Sequence, residues 1–207
     1  MKKLYIKLIY TGAMFAISYA LIPYLPQELI VHWNFQGVAD NTAPALQALA
    51  IIPFVTAISV IVFHFLPLMD PKKKRYEEFA DVYEKIQYIF MAFFTYLQFI
   101  IIYTGIEPKT NALALIFAGI GVLFILMGNY LGKIRQNYFV GIRTPWTIDN
   151  ERVWNKSNRF AGVCFVVTGM IIILHSLIFP TQLAYIMFFV LSSALAPVLY
   201  SFLIFKK

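Results

Sequence analysis

Residues 160–205 read FAGVCFVVTGMIIILHSLIFPTQLAYIMFFVLSSALAPVLYSFLIF, 46 positions without one charged side chain, bounded by Arg159 and Lys206. A helix rises about 1.5 Å per residue, so a single helix would be about 69 Å long. The hydrocarbon layer of a bilayer is only about 30 Å thick. The run must therefore turn, and Pro180-Thr181-Gln182 is the natural place. The stretch resolves into two spans, Phe160–Phe179 and Leu183–Phe205. Working back along the chain, other uncharged gaps hold 20 residues after Lys7, 29 after Asp40, 21 after Lys85 and 23 after Lys109. They predict four more spans, Leu4–Tyr24, Ala45–Leu68, Ile86–Thr104 and Asn111–Leu131. Helices follow because each satisfies its own backbone groups in lipid. The alternation of a membrane barrel is absent from these runs. The expected fold is an all-α polytopic membrane protein of six helices.

Composition agrees. Of 207 residues, 60% are hydrophobic and 13% charged, against about 45–50% and about 25% in ordinary soluble domains. A soluble enzyme, a disordered tail and a disulfide scaffold are excluded. Cys164 is the single cysteine, with no second thiol for a disulfide or a metal site. The net charge of +7 is read as loop charge that orients spans, not as a nucleic-acid surface. The N-terminus, segment 69–85, loop 132–159 and the C-terminus hold 16 of the 17 basic residues. Loops 25–44, 105–110 and 180–182 hold only Lys109. Both termini are therefore expected in the cytoplasm, and an even number of spans likewise puts them on one side.

The first span admits a second reading. Lys2, Lys3 and Lys7 before an apolar run, with Ser18-Tyr19-Ala20 behind it, form a signal-peptide pattern. The run continues through Leu21, Ile22 and Leu25, which favours an uncleaved anchor. Without an internal repeat or a long linker, residues 1–207 are expected to form one integral membrane domain.

Catalytic patterns are missing. No Asp or Glu falls within a span, as an intramembrane aspartyl protease or a carboxylate proton relay would need. Neither HExxH, GxSxG nor a glycine-rich phosphate loop occurs. The buried ionisable candidates are His64 and His175, and each sits near a span end. The expectation is a protein that is not an enzyme and holds neither cofactor nor metal. His32 and Asp40 alone are too few for a metal site.

Three loops carry specific side chains. In the external loop 25–44, alternation around Leu29–Trp33 suits a short extended piece, and Asn34, Gly37 and Asp40 are turn residues. His32, Trp33, Asn34, Gly37 and Asp40 are the candidate recognition residues; the alternative is an interfacial loop with Trp33 in the aromatic belt. In the cytoplasmic segment 69–85, Asp70-Pro71 reads as a helix start. Tyr76, Phe79, Tyr83 and Ile86 share a helical face, and Lys74/Glu78 and Asp81/Lys85 are i,i+4 pairs. An amphipathic helix lying on the inner leaflet is expected, with Lys72 to Arg75 facing anionic lipid. In the cytoplasmic loop 132–159, Gly141 permits a positive φ, Pro145 extends the chain before Trp146, and Asp149 can cap the next helix. Trp146 and Trp154 suit the inner interface. Arg143 can reach a carboxylate or a lipid phosphate. Asn137, Gly141, Arg143, Thr144, Pro145, Trp146 and Trp154 form a candidate partner surface or, equally, a loop fixed by its two tryptophans.

At these residues the chain resembles a known family. The pattern HWNxxGxxD at 32–40 is similar to the N-terminal module of unknown function found in SdpI-type membrane proteins. GNxLxxxxxNYFxGIRTPWT at 128–147, with ERVW at 151–154 and Asn158-Arg159 behind it, resembles the SdpI signature. The resemblance implies a six-span protein of the bacterial cell membrane, related to an immunity protein against a secreted peptide toxin. It also implies a signalling role in which a small winged-helix autorepressor is held at the membrane, with no catalytic site and no direct contact with nucleic acid. The competing expectation is a small transporter or exporter of peptide or lipid. Pro53 and Pro197 would kink its spans, and Ala114, Ala118, Gly119 and Gly121 would permit close packing.

Overall fold

The computed structural model describes residues 2–34, 38–179 and 183–206. The Pro180-Thr181-Gln182 turn and Gly37 lie outside the described residues. Six long apolar helices form the bundle. They are α1 (Lys2–Leu21), α2 (Ala45–Met69), α3 (Ala80–Ile106), α4 (Ala112–Leu131), α6 (Glu151–Ile178) and α7 (Leu183–Phe205), with the five-residue α5 (Pro145–Asp149) between α4 and α6. A 3-10 turn, Ile22–Tyr24, closes α1, and a second, Lys73–Phe79, precedes α3. The all-α expectation gains one addition. Strands β1 (Glu28–Trp33) and β2 (Ala39–Pro44) form an antiparallel hairpin between α1 and α2.

Small residues set the tightest helix crossing. Gly121 and Gly128 on α4, seven residues apart, meet Gly169 and Gly162 on the antiparallel α6. A Cβ at Gly128 would lie 2.6 Å from the Gly162 carbonyl oxygen, and one at Gly162 would lie 2.6 Å from that of Gly128. The backbones thus touch where no side chain fits, so dispersion and close approach hold two helices that lipid would solvate equally well. Gly119 faces the Tyr96 ring of α3 instead of this crossing.

The first three helices are joined differently. At successive levels along α1, Lys3 donates to Glu84 (2.6 Å), Lys7 to Gln87 (2.7 Å) and Gln98 to Ser18 (2.8 Å), while Tyr10 pairs with Thr95 (2.5 Å). A polar seam therefore ties α1 to α3, where α4 and α6 rely on bare backbone contact.

Helix bounds differ from expectation in two places. Helix α3 begins before Ile86, and α6 begins at Glu151 instead of Phe160. Asn150, not Asp149, caps α6: its side chain accepts from the Val153 amide at 3.1 Å. Asp149 ends α5.

Candidate functional site

The two sequence motifs lie at opposite ends of the bundle. At one end is the hairpin. Leu29 turns inward, 1% exposed, onto Ala45, Ala48 and Leu49 of α2, and anchors β1. The register pairs Leu29 with Ala43 and Trp33 with Ala39, with irregularities on either side of His32. His32 Nδ1 and Asp40 Oδ1 stand 2.6 Å apart across the strands, with side chains 63% and 40% exposed. Asp40 is thus a strand residue paired across the hairpin, not a turn residue. Asn34 closes the described base of the hairpin loop: its amide donates to the Val38 carbonyl and its Oδ1 accepts from the Val38 amide, both at 2.9 Å. Trp33 is half-buried and, with Ile30, Thr104, Lys109 and Asn111, lines a cleft of about 310 Å³ between the hairpin and the α3–α4 turn. Four of the proposed recognition residues, His32, Trp33, Asn34 and Asp40, are thereby brought together.

The other end is built from the loop after α4. Gly132 ends α4, and the chain then runs without regular structure to Thr144. Asn137, 0% exposed, organises it. Its Nδ2 donates to the carbonyls of Arg135 (2.8 Å) and Val140 (3.0 Å), and its Oδ1 accepts from the amides of Phe139 (2.8 Å) and Val140 (2.7 Å). These bonds satisfy main-chain groups that no helix or strand serves. Gly141 follows with φ +113°, and a Cβ there would meet Asn158 Oδ1 at 2.5 Å. Asn158 Oδ1 instead accepts from the Ile142 amide at 2.8 Å, fixing the loop to α6. Thr144 and Thr147 cap α5 reciprocally, with Pro145 in its first turn. Trp154, fully buried, donates its indole N–H to the Ile134 carbonyl at 2.8 Å. It is a core residue, so its expected place at the membrane interface is corrected. Trp146 is half-buried; it donates to Ser201 Oγ at 2.8 Å and packs on Phe202 and Phe205 of α7. Arg143 is exposed and donates to the Tyr138 carbonyl at 3.1 Å. Of the seven residues proposed as a partner surface, Asn137, Thr144 and Trp154 are buried. Gly141, Pro145 and Trp146 shape the loop, and Arg143 presents its charge outward.

Segment 69–85 also departs from expectation. Asp70 does not start a helix; it ends α2 and is 2% exposed. Its carboxylate accepts from the amides of Lys72 (2.7 Å) and Tyr138 (2.9 Å), and the Tyr76 hydroxyl lies 3.2 Å away. Lys72 does not face lipid. Its ammonium donates to Gln136 Oε1 and to the Ile148 carbonyl, both at 2.7 Å. The face of Tyr76, Phe79, Tyr83 and Ile86 is real, but it packs against Leu131, Ile134, Trp154 and Ala161 instead of a leaflet. Two ion pairs cross between segments: Arg75 with Glu151 at 2.8 Å, and Arg135 with Glu78 at 3.6 Å. Asp70, Lys72, Tyr76, Gln136 and Thr147 were missed as members of this end. The adjacent polar pair Gln136-Asn137 beside a span was the available signal.

His64 is half-buried at the edge of a cavity near this end. Both ring nitrogens of His175 are buried without a hydrogen-bond partner among the described residues, beside Phe179 and Tyr185.

These two ends coincide with two known sequence families. Residues 133–201 match the SdpI/YfhL protein family, and residues 9–57 match a domain of unknown function, DUF1648. The second match contains the hairpin, and the first begins at the loop after α4. The chain is also 31% identical over 172 residues to the immunity protein SdpI of Bacillus subtilis (strain 168), covering 83% of this chain and 80% of that relative. No solved structure matches it. With two family matches in their expected order and a relative aligned over most of both chains, this bacterial multi-pass membrane protein belongs to the SdpI family.

Proposed function

We propose that this protein is a non-enzymatic immunity protein, one integral membrane domain that protects its cell from a secreted peptide toxin. The observation that carries the reading is the alignment to an immunity protein across 83% of this chain. The charge asymmetry, with Lys109 the only basic residue on the hairpin side, supports a hairpin facing outward and both termini facing the cytoplasm. In this reading the cleft beside His32, Trp33 and Asn34 meets the peptide. Trp33 supplies apolar contact area and Lys109 a cation for a peptide carboxylate. The opposite end presents Arg143 to a cytoplasmic partner, the small winged-helix repressor that the family resemblance implies. A planar guanidinium on a rigid loop suits a carboxylate on that partner.

Expression in a sensitive bacterium tests the proposal, using SdpC-like peptides from several sources. Tolerance is expected to rise with no energy-dependent efflux of labelled peptide. Unchanged killing at verified membrane expression would refute immunity, and protection accompanied by efflux would establish a transporter instead.

A further inference from the structure

Lys7, on α1, is only 5% exposed. Its Nζ donates to the neutral Gln87 Oε1 at 2.7 Å and lies 4.8 Å from the centre of the Tyr88 ring. The nearby Glu84 is engaged by Lys3 at 2.6 Å, and no carboxylate lies within ion-pair distance of Lys7 among the described residues. A buried ammonium with only neutral partners carries an uncompensated desolvation cost. It borders a cavity of about 890 Å³ between α1, α2 and the start of α3. Lys3, Lys73 and Lys74 line the same cavity. Its carboxylates are Glu77 and Glu84. Four ammonium groups against two carboxylates leave a formal charge of +2 on the lining.

Leu4, Val60, Phe63, Pro67 and Leu68 form an apolar side of the wall, and the uncharged polar groups on the rest of it are His64, Tyr76, Tyr83 and Gln87. Leu68 is 64% exposed on the outside of the bundle, and Ile61 of the same helix is 45% exposed. The cavity therefore combines a cationic lining with a greasy exit along α2. A free anion would use only the first feature. A zwitterionic headgroup would bring its own cation into a lining that is already positive. We propose that this cavity binds the phosphodiester headgroup of an anionic phospholipid, with Lys7 and Lys73/Lys74 contacting the phosphate and the acyl chains leaving along Leu68. Lysine suits such a ligand because its compact ammonium pairs with phosphate from several directions. The proposal rests on the cavity and stands apart from the immunity reading.

The test titrates dioctanoyl phosphatidylglycerol into the full chain in a neutral detergent. Dioctanoyl phosphatidylcholine, inorganic phosphate and a hexaglutamate peptide are the comparison ligands. Phosphatidylglycerol is expected to bind about tenfold tighter than phosphatidylcholine, the scale of one charge-assisted contact. Lys7→Gln is expected to lower that affinity about tenfold, and Lys7→Arg to keep most of it. If Lys7→Gln fails to fold, the exposed pair Lys73→Gln/Lys74→Gln is the deciding variant, with a comparable loss expected. Equal affinity for the two lipids would overturn the proposal, as would unchanged affinity in the deciding variant. Inorganic phosphate displacing the lipid at equal concentration would make this a free-anion site. Tighter binding of hexaglutamate would make it a site for an acidic protein segment. Either outcome rejects the lipid.

Discussion

His32 and Asp40 meet across the hairpin with side chains 63% and 40% exposed. At the other end of the bundle Asn137, Thr147 and Trp154 are fully buried. Both ends are polar, yet their polar groups answer to different solvents. At the exposed His32–Asp40 pair, water can replace a lost partner, so these side chains contribute little to folding and are free to serve recognition. In the loop after α4, the side-chain donors and acceptors of Gln136, Asn137 and Thr147 have been removed from water and are served by other groups of the same network. Removing one leaves the rest unpaired, at about 1–3 kcal/mol for each buried group. The loop end is accordingly a single rigid fitting that joins α2, α3, α4, α6 and α7, and Arg143 is a charge mounted on it. This contrast ranks the residues: buried members of the loop network are expected to govern folding, and exposed members of either end are the ones proposed to make contacts.

The sharpest way to break the contrast is Asn137→Ala. It removes two donated and two accepted main-chain bonds at once. A loss on the order of 3 kcal/mol is expected, read as a lowered unfolding midpoint in detergent and reduced membrane level. A variant with wild-type stability would show that the loop is solvated and the contrast empty. Gly141→Ala is expected to cost less, about 1–3 kcal/mol, because its positive φ is strained for alanine and the new methyl group meets Asn158 Oδ1 at 2.5 Å. The midpoint of that variant, compared with Asn137→Ala, measures how far one strained position loosens the network. No change would mean the loop adopts another path.

The six spans were legible because charge is so costly in lipid that its absence marks each helix. The gap between Arg159 and Lys206 divided correctly into two helices, the first ending at Ile178 and the second beginning at Leu183. The hairpin was half legible: the Leu29–Trp33 alternation named the first strand, but Ala39–Pro44, exposed at five of six positions, has no apolar rhythm to read. The loop network was least legible. Asp70, Gln136 and Asn137 beside span ends look like ordinary interfacial residues. Their burial depends on a distant fact, that the Tyr76–Ile86 face folds onto Trp154. A face pattern reveals that a surface is covered, but it does not distinguish a leaflet from a neighbouring helix. That ambiguity sent Lys72 to lipid when it belongs to the loop.

The central claim is that recognition sits on the hairpin while the loop end holds the fold. It is tested most directly by survival under a peptide toxin for cells carrying His32→Ala/Asn34→Ala and, separately, Arg143→Gln, each at matched membrane level. The hairpin variant is expected to keep its unfolding midpoint within about 1 kcal/mol of wild type, since the side chains it removes are not fully buried, yet to lose protection. Arg143→Gln, removing one exposed hydrogen bond, is expected to leave both protection and midpoint unchanged. Full protection by the hairpin variant, or lost protection in a stable Arg143→Gln protein, would contradict the account.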